Sequence, residues 1–163
     1  MRILGIDPGL AETGWGVVEE ISGRIRPVSF GVVKTFPSME LSERIYTLGE
    51  DISSLVEKYS VDVCSMEDIY FARNITSAVP VAKVIGALTY KLKSMGIEVF
   101  YYSPLEIKLA VTGTGTADKH QVQEMVRLHL KLEKVPKPDH AADALADCIC
   151  HVTHNTNLIR SKR

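Results

Sequence analysis

Arg2-Ile3-Leu4-Gly5-Ile6-Asp7-Pro8-Gly9 begins with a short apolar run and stops at an acid followed by Pro-Gly. An apolar run of this length that ends in a turn reads as a buried strand. Two further strand-like runs, Gly14 to Ile21 and Ile25 to Thr35, are separated by a short turn at Ser22-Gly23, so the first three strands form an antiparallel meander. From Ser38 the period changes. Leu41, Ile45, Leu48, Ile52, Leu55 and Tyr59 recur at alternating intervals of four and three, one apolar stripe along a long amphipathic helix. Val61 to Glu67 reads as a fourth strand, and Asp68 to Thr76 as a polar and aromatic loop. Ser77 is placed to cap a second helix, with Pro80 in its first turn, running to about Met95 before Gly96. Val99 to Tyr102 is a fifth strand.

Ser103-Pro104-Leu105-Glu106 matches a capping box with proline at the first helical position, opening a short helix to Val111. A Gly/Thr loop over Thr112 to Thr116 leads to a helix from about Asp118 to Leu130, and Lys131 to Pro138 form a loop. Asp139 is placed to cap a final helix ending near His154, which leaves residues 155–163 as a flexible basic tail beyond a single domain over 1–154. The order predicts an α/β chain with a five-stranded mixed sheet: three antiparallel strands, then two parallel ones reached by helical crossovers.

The 163 residues (18.0 kDa, 45% hydrophobic, 24% charged) suit one domain and are short for an enzyme of two lobes clamping a nucleotide. A chain of this size buries roughly 70% of its unfolded surface and needs no disulfide or structural metal. Cys64, Cys148 and Cys150 each lie in an apolar run and are expected as reduced, buried thiols. No segment approaches the roughly 20 apolar residues of a membrane span, and the run before Asp7 is too short for a signal peptide, so a cytoplasmic location is expected. The net charge of −1 conceals an asymmetry: residues 1–69 carry −6 and residues 70–163 carry +5. Such polarisation suits a basic face for a polyanion beside an acidic pocket for cations, and scattered surface charge gives the same sums.

On open α/β sheets ligands gather at the carboxyl ends of parallel strands. Asp7 ends the first strand and Glu67 the fourth, so neighbouring strands bring both acids to one edge, where close like charges call for a divalent cation. Asp7 alone also reads as a turn former, whereas Glu67, finishing the run VDVCSM, serves no turn. His140 and Asp143 are three apart and share a helix face among Ala141, Ala142, Ala144 and Ala146, which allow close approach; singly, either reads equally as a solvated polar residue. Together, three hard carboxylates and an imidazole suit one or two Mg²⁺ or Mn²⁺ ions of the kind that clamp a scissile phosphate.

Gly5-Ile6-Asp7-Pro8-Gly9 with Thr13-Gly14, Met66-Glu67, Ala72-Arg73-Asn74, the run Gly113 to Gln123 and His140-Ala-Ala-Asp143-Ala-Leu-Ala together resemble the RuvC family of bacterial Holliday junction resolvases, in order and spacing over residues 1–154. The resemblance implies an RNase H-like fold, a homodimer, Mg²⁺-dependent endonuclease cutting of four-way DNA junctions in recombination and repair, and co-operation with the RuvA and RuvB branch-migration proteins. It carries catalytic and metal-binding roles onto Asp7, Glu67, His140 and Asp143. Many members have aspartate where His140 stands, so His140 is expected either to ligate the cation or to polarise the attacking water. Asp139 is a spare carboxylate turned about 100° off that face.

For DNA, Tyr70 and Phe71 follow Glu67 as an aromatic pair able to stack on an unpaired base, or to pack their own loop; by position Tyr70 matches the family's stacking aromatic. Lys108 and Lys119 flank the Gly/Thr loop and match basic residues at the family's cleft, with Arg73 a further phosphate contact. The helix from Ser77 to Met95 is apolar on more than one face, which suits a second subunit or burial beneath the last helix. Rival readings are a phosphotransferase sharing the Asp-Pro-Gly loop, an RNase H-like nuclease acting on RNA, and a non-catalytic junction-binding protein. A zinc site over Cys148, Cys150, His151 and His154 is disfavoured, because Cys150 points roughly 160° away from Cys148 on a helix.

Overall fold

The computed structural model describes residues 1–68 and 75–161. In chain order the elements are β1 (Arg2–Asp7), β2 (Glu12–Ile21), β3 (Arg24–Lys34), α1 (Leu41–Tyr59), β4 (Val63–Glu67), α2 (Ile75–Ser94), β5 (Glu98–Tyr102), α3 (Pro104–Thr112), α4 (Lys119–His129) and α5 (Asp139–Ser161). They build one mixed sheet in the order β3-β2-β1-β4-β5. The β1–β2 and β2–β3 pairs are antiparallel, β1–β4 and β4–β5 parallel, the RNase H-like arrangement expected.

Strand parity decides what each face of the sheet carries. Leu4 and Ile6 of β1, with Cys64 and Met66 of β4, join Leu48 and Ile52 of α1 and Val84, Leu88 and Leu92 of α2 in one core. The residues of opposite parity, Ile3 and Val63, join Leu145, Ile149 and Val152 of α5 with side chains of α3 and α4 in the other. Because successive side chains alternate across a strand, Gly5 and Asp7 fall on the α5 side with Ile3, and Ser65 and Glu67 with Val63.

On that side the sheet is built to let a helix backbone in. A Cβ on Gly5 would stand 1.9 Å from the Ala144 carbonyl oxygen, and one on Gly14 2.0 Å from that of His140. The facing alanines Ala141 and Ala144 are fully buried. Larger residues on either surface would push α5 away from β1 and β2, and with it the polar residues near its start.

Several boundaries differ from expectation. β2 starts at Glu12 rather than Gly14, because Glu12 pairs across to Lys34. Helix α2 begins at Ile75, so Ser77 lies inside it rather than capping it, and Pro80 falls in the second turn. Asp139 is the first residue of α5 and not its cap: the Pro138 carbonyl already accepts the Ala141 N–H, which starts the helix one residue earlier. Its carboxylate instead pairs with Lys137 at 2.7 Å. The helix also passes the expected end at His154 and continues to Ser161, since no glycine or proline interrupts residues 155–161. Residue 154 is therefore not a helix end. At the start of α1, Leu41 is exposed, so the buried stripe begins further along at Leu48.

Other readings hold. Both halves of the Ser103/Glu106 capping box form, and Asp118 with Gln121 makes a second one at α4. The three cysteines are free and buried. Cys148 Sγ faces the carbonyls of Ile3 and Gly16, whereas Cys150 Sγ lies 3.6 Å from His154 Nδ1. Helix α2 sends Val84, Leu88 and Leu92 into the core and exposes Val79 and Tyr90, while α5 lies on the far side of the sheet. No helix among the described residues is long and apolar enough to cross a membrane.

Candidate metal centre

Asp7 and Glu67 sit at the carboxyl ends of adjacent parallel strands, one residue beyond the Ile6–Met66 pairing, and strand parity turns both toward α5. The turn after Asp7 is closed by Thr13, a fully buried residue whose Oγ1 donates to the Gly9 carbonyl at 2.6 Å. From above, α5 supplies His140 and Asp143, held close by the contact of its backbone with Gly14.

Ligand atoms of Asp7, His140 and Asp143 lie within 4.8 Å of one another. His140 Nδ1 is 2.6 Å from Asp7 Oδ2, the separation of a charge-assisted hydrogen bond. Its other ring nitrogen faces Glu12 at 3.9 Å. Lys119, at the start of α4, approaches Asp143 at 3.2 Å and Asp139 at 3.7 Å.

Glu67 lines a cleft that adjoins this group through Asp143, about 220 Å³ in volume, with Lys108 and Lys119; Pro104, Ile107, Val122 and Ala146 form its apolar walls. Burial, then the charges of Asp7 and Asp143, push the Glu67 carboxyl up to about 7, with Lys108 and Lys119 opposing. Burial also raises Asp7, against the hydrogen bond from His140 and reinforced by Asp143. Both acids are thus held in surroundings that disfavour their charge, the state a bound cation relieves. Oxygen ligands with one imidazole fit Mg²⁺ or Mn²⁺.

The structure therefore draws Asp7, His140 and Asp143 together, while Glu67, outside that cluster, lines with Lys108 and Lys119 the adjoining cleft that Asp143 shares. Tyr70, Phe71 and Arg73 lie outside the described residues. Two acids escaped the sequence reading. Glu12, which pairs with Lys34 at 2.7 Å, borders His140. Asp147, 1% exposed, stands one turn beyond Asp143 at the inner wall of the cleft. Its carboxyl is raised well above the ordinary range, first by burial and then by the charges of Glu67, Asp7 and Asp143. The four-residue spacing from Asp143 was the available signal, since i and i+4 share a helix face.

The chain is similar along most of its length to known proteins. The family model described as Crossover junction endodeoxyribonuclease RuvC matches residues 3–151. Among curated relatives of that name, the protein of Endomicrobium trichonymphae is 44% identical over 153 residues, covering 93% of this chain and 80% of the relative. That of Roseiflexus sp. (strain RS-1) is 43% identical over 159 residues, covering 98% and 94%. The solved structure of Thermus thermophilus RuvC in complex with a Holliday junction substrate superposes with a TM-score of 0.89 at 32% identity, covering 95% of this chain and 94% of that one. The chain belongs to the RuvC family of crossover junction endodeoxyribonucleases.

Proposed function

We propose that this chain is a structure-selective endonuclease that resolves four-way DNA junctions by metal-dependent phosphodiester hydrolysis. The observation that carries the reading is the convergence of Asp7, His140 and Asp143 within 4.8 Å, in a chain of the RuvC family that is similar throughout to a junction-bound relative. Neither an RNA-cutting nuclease nor a non-catalytic junction binder is favoured by these similarities.

Asp7, Glu67, Asp143 and His140 would hold one or two Mg²⁺ ions. Bound there, the ions supply a water nucleophile at neutral pH and stabilise the leaving oxygen of the phosphodiester. Asp7 and Glu67, on adjacent rigid strands, fix the edge of the site from below, and His140 and Asp143 close it from α5. His140 acts either as a ligand or as a polariser of the attacking water. Lys108 and Lys119 offer ammonium groups to backbone phosphates without reading sequence. Tyr70 and Phe71 are assigned to a base unpaired at the crossover, and Arg73 to phosphate.

Paired cuts need two such sites at fixed spacing. The exposed Val79 and Tyr90 of α2 suit a homodimer, for which sedimentation should give twice 18.0 kDa. RuvA and RuvB are the branch-migration proteins with which it would co-operate, in the cytoplasm.

The test is cleavage with Mg²⁺ of a four-way DNA junction, duplex RNA and an RNA–DNA hybrid by wild type and Glu67→Gln. Paired cuts in the junction alone, lost in the variant, are expected. Preferential cutting of either RNA substrate, or full activity of Glu67→Gln, refutes the reading.

A further inference from the structure

At the end of the sheet opposite the candidate metal centre lies a second, larger cavity of about 730 Å³. Asp7 pairs with Gly14 at one end of the β1–β2 ladder and Arg2 with Glu19 at the other. The turn into β3 that follows Ile21 borders the cavity, together with the C-terminal end of α4. Both borders have a fixed backbone. Ser22 and Gly23 have φ of 52° and 79°, the left-handed pair that a two-residue hairpin turn demands, and Lys131 just past α4 has a φ of 52°. Arg24, Arg26 and Lys131 line the space, with Ile25, Pro27 and Leu130 as its apolar surface and no acid among the described residues around it. All three cations are exposed and lack a salt-bridge partner among the described residues, although neighbouring Arg2 and Arg127 are paired with Glu19 and Glu124. Glu20, the acid closest to the turn in sequence, accepts the Gly23 N–H instead. Like charges gathered around a concavity focus a positive potential into it, which concentrates an anion there.

We propose that this cavity binds the phosphate backbone of a duplex arm of the DNA substrate, at a distance from the phosphate held at the metal centre. This rests on the reading of the chain as a junction nuclease. Helix α4 connects the two places: Lys119, its first residue, lines the metal-site cleft, and Leu130, just past its last, lines the cavity. Its 11 residues rise about 1.5 Å each, about 17 Å in all, the length of about five base pairs of duplex. Cleft and cavity also belong to one layer, since Ile25 and Leu130 pack in the core that α3, α4 and α5 form on the side of the sheet to which Asp7 and Glu67 turn. Between them α4 carries one acid, Glu124, which Arg127 neutralises at 2.9 Å. Guanidinium and ammonium groups contact phosphates whatever the bases, so the cavity adds affinity and fixes the arm without reading sequence. An acidic protein surface has the right sign too, but the continuity with the cleft along α4 favours DNA.

The experiment compares wild type with the triple variant Arg24→Ala, Arg26→Ala, Lys131→Ala. Binding to a four-way DNA junction is measured across a salt series with Ca²⁺ in place of Mg²⁺, and single-turnover cutting with Mg²⁺ at saturating protein. The triple variant is expected to bind at least about tenfold more weakly and to lower the slope of log affinity against log salt by about two to three. Its cutting rate at saturation should stay within about twofold of wild type, a separation that damage to the metal centre would not give. Uncharged methylphosphonates placed one at a time along the arms should weaken wild-type binding about five base pairs from the cut and leave the triple variant indifferent there. Should the triple variant fail to fold, Lys131→Ala alone should lower the slope by about one, while Arg24→Lys with Arg26→Lys, which keeps the charges, should hold the wild-type slope. Wild-type affinity and slope in the triple variant, or in Lys131→Ala if only that variant folds, overturn the proposal and leave the cavity to an acidic protein surface. Failure of wild type itself to bind the junction would instead overturn the reading of the chain as a junction nuclease.

Discussion

Replacing Glu67 with glutamine should stabilise the metal-free protein, and more so at high pH. In the fold the Glu67 carboxyl is pushed from its ordinary 4.5 to about 7 by burial and by Asp7 and Asp143. Below pH 4.5 the group is protonated in both folded and unfolded chains and contributes nothing. As pH rises from there, the unfolded chain releases its proton first, and the folded state loses stability until the folded group also ionises near pH 7. A gap of about 2.5 pH units at ~1.36 kcal/mol each gives about 3 kcal/mol in full, of which about 2.5 kcal/mol falls between pH 5 and pH 8. Asp7 and Asp147 are raised as well and add loss of the same sign, so the informative quantity is the difference between wild type and variant. Urea unfolding in EDTA at pH 5, 6, 7 and 8 measures it. Glu67→Gln should gain about 2–3 kcal/mol on wild type across this range, and saturating Mg²⁺ should restore the wild-type loss. A difference that stays constant with pH would refute the electrostatic account of the site.

Exchange of His140 separates its roles: His140→Asp should retain Mg²⁺-dependent junction cleavage and His140→Ala should lose most of it, whereas full activity of the alanine variant would remove His140 from the site. Gly14→Ala places a Cβ 2.0 Å from the His140 carbonyl oxygen, so it should cost about 1–3 kcal/mol in urea unfolding and weaken Mn²⁺ binding together. If Lys108 and Lys119 contact phosphates, alanine at either should weaken junction binding and lower the slope of log affinity against log salt by about one. An unchanged slope would place that lysine off the DNA.

Asp7 and Glu67 could be read from sequence because strand ends and the period of two are local properties, and both acids end mainly apolar stretches of five or six residues. The capping boxes at Ser103 and Asp118 were equally local, although only the first was recognised as a box. Glycines 5, 14 and 16 were different. Nothing in their own neighbourhood says that a helix more than 120 residues later will lie across them, and only the crossing of α5 gives their missing side chains a purpose. Asp147 carried only its four-residue spacing from Asp143 as a signal, because its burial at the inner wall of the cleft is set by the tertiary packing of α5. At Asp139 two local rules competed. An acid before an alanine-rich helix suggests a cap, but Pro138 had already supplied the first carbonyl.

The claim on which everything else depends is that side chains from β1, β4 and α5 form one cation site. Crystals grown with Mn²⁺ and measured for its anomalous scattering test it most directly. The account predicts one peak, or two closely spaced, in contact with Asp7, Glu67, His140 and Asp143. A strong peak elsewhere with none between these four residues would contradict it.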